Sequence, residues 1–381
     1  MSTRSRVTKL AASTVGGAAI GTVGAATVLA RLALTPDRRR RDDTTVVAVD
    51  GDIATLALEE HSRVPGRYGV WLPDGGHARL SELVDVDEEL ARVRWRVESV
   101  DRGTLAPGRA RWNAYYYWGA PDVCLSVPTE RVVVDTELGV MGAWLVPSGD
   151  GGTKRWAILI HGRGGTREET VRAVTPLRDN GFTCLAPTYR NDEGSPAGPD
   201  GRYNLGLSEW RDIDAALVFA IAHGAQHVVL VGWSMGGAIA LQLLARSVHA
   251  DVVDRVVLDS PVVDWDDVLA FHTRLHHVPA VLGSLGRFLM GHPWARRLVG
   301  VHSPLDVAET DWVRRADELD RPVLLIHSDD DEFVPVGPSR ELARRRPDLV
   351  TFEEWHDARH CQEWNTDPER WERVVAEFVS G

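Results

Sequence analysis

At 381 residues the chain is long enough for two or three domains whose cores need no disulfide or metal staple. Hydrophobic residues make up 44% and charged residues 26%, a globular balance that excludes a disordered tail or a mini-protein. The net charge of -12 opposes general affinity for nucleic acid and other anionic polymers.

The chain opens with a run of residues 10 to 30 that carries no charge. As a helix rising about 1.5 Å per residue, such a run would reach roughly the 30 Å of a bilayer core. It is rich in Ala, Gly and Thr, and Gly17 and Gly21 form a small-xxx-small pair suited to helix pairing. Arg4, Arg6 and Lys9 precede it, and Val28 and Ala30 before Arg31 also suit a cleaved secretory signal. Residues 1–43 are therefore expected to form a single-pass membrane anchor with a basic linker, the protein being secreted if the segment is cleaved. Arg31 and Arg38 to Arg41 follow it, so basic residues flank both ends and leave the orientation open.

Residues 44–128 read as a small β-rich domain. Strand candidates run over Thr45 to Val49, Ile53 to Leu58, Tyr68 to Leu72, Val93 to Val100 and Arg111 to Trp118, separated by turn pairs such as Asp50-Gly51 and Arg102-Gly103. On the last of these, Tyr115, Tyr116, Tyr117 and Trp118 would alternate between faces, a pattern read as core or interdomain packing.

From 129 to 381 buried β runs alternate with amphipathic helices, which predicts a mostly parallel sheet covered on both faces. Strands are expected at Ala157 to Ile160, Thr183 to Pro187, His227 to Gly232, Arg255 to Leu258, Pro322 to His327 and Val350 to Trp355. Helices are expected over Arg167 to Asn180, Ser208 to His223, Met235 to Arg246, Ser339 to Arg346 and Pro368 to Val379. An excursion over about 262–315 interrupts the alternation and could cap a site. Cys124, Cys184 and Cys361 are too few and too far apart for a disulfide framework or a zinc knuckle. His272, His276 and His277 lack carboxylates at ligand spacing and are read as part of a cap helix. Glu209, Arg211 and Asp212 are read as local caps and pairs.

The stretch His227 to Gly237 places a GxSxG pattern where a buried strand meets a helix, with Gly232 and Gly236 permitting the tight turn that lifts Ser234 above the sheet edge. A serine hydroxyl is a weak nucleophile at neutral pH, so it needs a histidine base and an acid that orients that base. The strand ending at His327 runs into a loop with Asp329, Asp330, Asp331 and Glu332. If the order is serine, acid, histidine, only His356 and His360 follow that loop. Asp259, after the preceding strand, is an outside candidate for the acid. The glycine-rich turn His161 to Gly165 can aim a backbone N–H into the same site, and the N–H groups of Arg163 and Met235 are the expected oxyanion donors.

Four motifs in order, HGRGG, GWSMGG, DDDEFVP and RHCQEWN, make residues 129–381 similar to the α/β-hydrolase superfamily, in its serine-aminopeptidase-like and prolyl-oligopeptidase-like branches with a short cap. The resemblance implies Ser234 as nucleophile, Asp331 as acid from the DxxVP ending of the loop, and His360 as base from its place just before the last helix. It implies a serine hydrolase that cleaves carboxylic esters through an acyl-enzyme and uses no cofactor or metal. The substrate is expected to be a small-molecule ester. A peptidase acting on short peptides and a non-catalytic envelope binding protein are the alternative readings.

Overall fold

The structure is a computed structural model that describes residues 21–36 and 42–381. Arg4, Arg6, Lys9 and Gly17 lie outside those residues, as do Arg38 to Arg41. Residues 21–34 form a helix, α1, that does not stand apart from the rest of the chain. Ala26, Ala30 and Leu34, one face at helical spacing, are buried in the core of the α/β domain, residues 129–381.

Residues 10 to 20 of the expected spanning helix lie outside the described residues, and among the described residues no helix is long and apolar enough to cross a membrane. Ala26 and Ala30 let α1 approach another helix at Gly286, where a Cβ would lie 3.2 Å from the Ala26 carbonyl oxygen. The end of α1 is fixed by guanidinium groups. Arg163 donates to the Ala33 and Thr35 carbonyls, both at 3.0 Å, and Arg202 donates to the Arg31 carbonyl and the Thr35 hydroxyl.

Six strands follow and close a barrel in the order β1-β2-β5-β4-β3-β6. They are β1 (Thr44–Asp50), β2 (Ile53–Ala57), β3 (Tyr68–Trp71), β4 (His77–Asp87), β5 (Arg92–Arg102) and β6 (Gly108–Asn113). Alternation fills the interior: Ala54 and Leu56, Tyr68 and Val70, Ala78 and Leu80, Val93 and Trp95 point inward, around a ring cluster of Tyr68, Trp95 and Trp112. The strand expected over Arg111 to Trp118 ends at Asn113, whose side chain accepts the Tyr115 N–H and turns the chain out of the barrel. The tyrosines beyond it pack between domains, Tyr116 and Tyr117 both against Trp364. A short helix, α2 (Pro121–Cys124), completes the crossing.

The α/β domain carries an eight-stranded sheet in the order β14-β13-β12-β11-β9-β10-β8-β7. An antiparallel hairpin of β7 (Glu130–Thr136) and β8 (Gly139–Val146), absent from the sequence expectations, forms one edge. The remaining strands run parallel to one another: β9 (Arg155–Ile160), β10 (Thr183–Pro187), β11 (His227–Trp233), β12 (Val253–Asp259), β13 (Val323–Ser328) and β14 (Val350–Trp355). Helices α3 (Val174–Asp179), α4 (Trp210–Ala222) and α5 (Met235–Arg246) connect its first half. The excursion between β12 and β13 contains α6 (Trp265–Leu275), α7 (Ala280–Gly291) and α8 (Arg296–Val299). Then come α9 (Gly337–Arg345), α10 (Glu363–Thr366) and α11 (Pro368–Ser380). Two apolar cores form on this domain, and parallel strands buried on both faces need both. The loops at the carboxyl ends of β9, β11, β13 and β14 consequently meet at one edge of the sheet.

Candidate active site

Ser234 sits between β11 and α5 with φ 52° and ψ −116°, a backbone conformation that a non-glycine residue adopts only under strain. Packing around the turn enforces it. A Cβ at Gly232 would lie 2.6 Å from the Gly236 backbone, and one at Gly236 would lie 2.0 Å from the Ile160 carbonyl oxygen. Gly237, not singled out in the sequence, is equally constrained, because its Cβ would come within 2.8 Å of Pro261. The turn leaves Ser234 only 5% exposed, at the amino end of α5.

His360 reaches this serine across the sheet edge. The Ser234 hydroxyl lies 2.9 Å from His360 Nε2, and His360 Nδ1 lies 2.7 Å from Asp331 Oδ2. With Nδ1–H donating to the carboxylate, Nε2 is left as the acceptor for the serine proton. Asp331 is fully enclosed and accepts more than this bond: the Phe333 and Val334 N–H groups donate to its Oδ1, both at 2.8 Å, and His327 Nε2 lies 3.1 Å from its Oδ2. Burial alone would raise the Asp331 pKa, but the charges and hydrogen bonds of His360 and His327 hold it well below the usual carboxylate range. For His360, burial opposes the charged form. The Asp331 carboxylate, helped by Glu332 and Glu169, outweighs burial and raises the imidazole above its ordinary 6.5.

The other candidates lie elsewhere. His356 pairs with Asp329 at 3.0 Å on the surface, its side chain 66% exposed, and Asp330 accepts the Asp357 N–H. Asp259 is buried behind the histidine loop, where it accepts the Trp371 indole N–H at 2.7 Å. Of the two expected oxyanion donors, Arg163 follows Gly162, on which a Cβ would lie 3.1 Å from Ser234 Cβ, and Met235 opens α5. Among the described residues no group of His, Cys, Asp and Glu could hold a metal ion. His272 is instead bonded to the Phe333 carbonyl at 3.0 Å. Asp212 and Arg190 form a buried bidentate pair, and Glu209 accepts the Asn204 and Gly206 N–H groups.

A layer of positioning groups escaped the sequence reading. His327 is held on its other nitrogen by the Ser339 hydroxyl at 2.8 Å. Glu169 accepts the Gly162 N–H at 2.6 Å, and Arg172, 4.0 Å from Glu169, donates to the Cys361 carbonyl. This pair ties the loop beside the serine to the residue after the histidine. Under that loop, Glu363 accepts the Ser260 hydroxyl and the Ser328 N–H, and Ser260 in turn accepts the Cys361 N–H. The remaining oxygens, Asp259 Oδ1 and Glu363 Oε2, are buried with no hydrogen-bond donor. Burial, reinforced by the Asp259 charge, raises Glu363 well above the ordinary carboxyl range. Spacing along the chain carries no signal for any of these contacts, because each joins elements far apart in sequence.

The sequence profile of a family described as the alpha/beta hydrolase family matches residues 157–377, and one described as a domain of unknown function matches residues 45–113. A pimeloyl-[acyl-carrier protein] methyl ester esterase of Aromatoleum aromaticum is 28% identical over 236 residues, covering 52% of this chain and 88% of the relative. An uncharacterized protein of Mycobacterium tuberculosis is 26% identical over 237 residues, covering 58% of this chain and 69% of its own. Among solved structures, an esterase of Pyrococcus furiosus superposes with a TM-score of 0.52 at 22% identity, covering 69% of this chain and 94% of that one, a likeness in fold.

Proposed function

From the premise that the chain belongs to the alpha/beta hydrolase family, we propose that it is a serine hydrolase of carboxylic esters working through an acyl-enzyme on Ser234. One observation carries the reading: the unbroken line from the Ser234 hydroxyl through both nitrogens of His360 to Asp331, at 2.9 and 2.7 Å. His360 Nε2 takes the hydroxyl proton as Oγ bonds to the ester carbonyl carbon. The carbonyl π electrons move to oxygen, where the backbone N–H groups of Arg163 and Met235 receive the charge. Collapse of the tetrahedral intermediate expels the alcohol, which takes the proton from the imidazolium. A water then repeats the sequence on the acyl-enzyme and regenerates the serine. The similarity to an esterase with a methyl ester substrate supports esters over amides.

The test is labelling with a fluorophosphonate, which phosphonylates an activated serine. The wild type is expected to label at Ser234, and Ser234→Ala to abolish labelling while keeping the circular dichroism and melting temperature of the wild type. A folded wild type that stays unlabelled while a control hydrolase reacts would reject an activated nucleophile.

A further inference from the structure

An apolar cavity of about 430 Å³ lies between α1 and the excursion helices. Leu29 and Ala33 of α1, Val268 and Leu269 of α6 and Met290 of α7 form much of its wall. Two more of its lining residues reach the reaction centre. Phe333 packs its ring against both His360, at 5.2 Å between centroids, and His272, at 4.6 Å. Arg163 follows the glycine that abuts Ser234, and its guanidinium lies on the Ala33 and Thr35 carbonyls.

We propose that this cavity receives the acyl chain of the ester, so that α1 is a specificity-determining part of the catalytic domain and the favoured substrates carry a linear hydrophobic acyl group. The proposal rests on the reading of Ser234 as nucleophile. An acyl carbon bonded to Oγ under the Arg163 N–H would have its chain directed past Phe333 into the space between α1 and α6. Each methylene moved from water into such a lining strengthens binding by about fourfold. The small residues of α1 keep the space open. A larger side chain at Ala33 would enter it, whereas shortening Leu29 would enlarge it. The same helix holds the loop that carries an oxyanion donor, so acyl binding and oxyanion binding share one wall.

The experiment measures kcat/KM of the full chain on p-nitrophenyl acetate, octanoate and dodecanoate, alongside fluorophosphonate labelling. The wild type is expected to favour octanoate over acetate by about tenfold or more. Ala33→Trp should lower that octanoate-to-acetate ratio by a similar factor, and Leu29→Ala should shift the preference toward dodecanoate. If Ala33→Trp does not fold, the shift in Leu29→Ala still decides the matter. A wild type that labels and hydrolyses acetate but not octanoate would overturn the proposal and leave the Ser234 reading intact. So would folded, labelled variants that keep the wild-type ratio. A folded protein that neither labels nor turns over any of the esters would overturn the nucleophile reading and this proposal with it.

Discussion

Two charged-group arrangements at the reaction centre make opposite use of burial. Around Asp331, four donors compensate for the loss of water, so the carboxylate stays ionised and raises the pKa of His360. A protonated imidazole cannot accept the Ser234 proton. The kcat/KM of ester hydrolysis is therefore expected to rise with pH through a midpoint above 6.5 and to be lost below it. Asp331→Asn removes the main raising influence and the acceptor for Nδ1–H. Its pH profile should show the midpoint displaced downward, and its rate should fall by about 10⁴. At Asp259 and Glu363 burial prevails: the Arg172 charge only partly offsets it at Asp259, and the Asp259 charge reinforces it at Glu363. Because the folded pKa of Glu363 is raised, this group's contribution to stability is present below its ordinary 4.5 and is lost as pH climbs toward the folded value. Glu363→Gln keeps the shape and supplies a donor to Asp259, so urea unfolding should show unchanged or higher stability at neutral pH and a flatter pH dependence. Glu363→Ala strands the Ser260 hydroxyl and the Ser328 N–H and should cost about 1–3 kcal/mol for each stranded group.

At the scale of elements, the junction of β11 and α5 is set by backbone contact more than by side-chain packing. The helix can begin directly above the sheet because Gly236 rests on the Ile160 carbonyl, and this close approach holds Ser234 in its strained conformation. Gly236→Ala would drive a methyl into a backbone oxygen 2.0 Å away, with no flexible side chain to yield. Urea unfolding should show a loss of about 1–3 kcal/mol or more, with labelling at Ser234 reduced in parallel. The first helix teaches the complementary lesson. Its uncharged run reads alike for a membrane helix and for a helix buried against protein, since both need an apolar face and small residues at the contact. Gly17 and Gly21 suggested a pairing face, but in the described residues the close contact with α7 is made through Ala26 and Ala30.

At the scale of the whole molecule, the barrel is fastened to the same loops that carry the site. Asn365, five residues beyond His360, donates to the Arg67 and Ala114 carbonyls, and its own carbonyl accepts the Arg67 N–H at 2.8 Å. On the other side the Tyr115 hydroxyl accepts the Thr166 N–H at 3.3 Å, beside the HGRGG turn. Movement of the barrel would therefore reach both the loop of His360 and the glycine-rich loop beside Ser234. The wild type is expected to melt in one calorimetric transition. Asn365→Ala removes the donors to the Arg67 and Ala114 carbonyls, so it should split off a transition for the barrel at lower temperature. A single transition at the wild-type temperature would show that the two domains are not coupled through this residue.

Alternation of buried strands with amphipathic helices, and period-two strands punctuated by turns, made the α/β domain and the small β domain readable from the chain, because burial on two faces and on one face leave different periods. The GxSxG turn was readable for the same local reason: its glycines are demanded by contacts within a single strand–helix junction. The hairpin at the sheet edge and strand β4 were not anticipated, having no comparable local demand. The acidic loop presents Asp329, Asp330 and Asp331 in succession, and from that order alone each could face a histidine. Only the packing of β13 against β14 sends Asp331 inward to His360 and leaves Asp329 outside with His356. The role of α1 was likewise decided by the tertiary structure, since a sequence states which residues avoid water but not whether lipid or the protein's own helices will cover them.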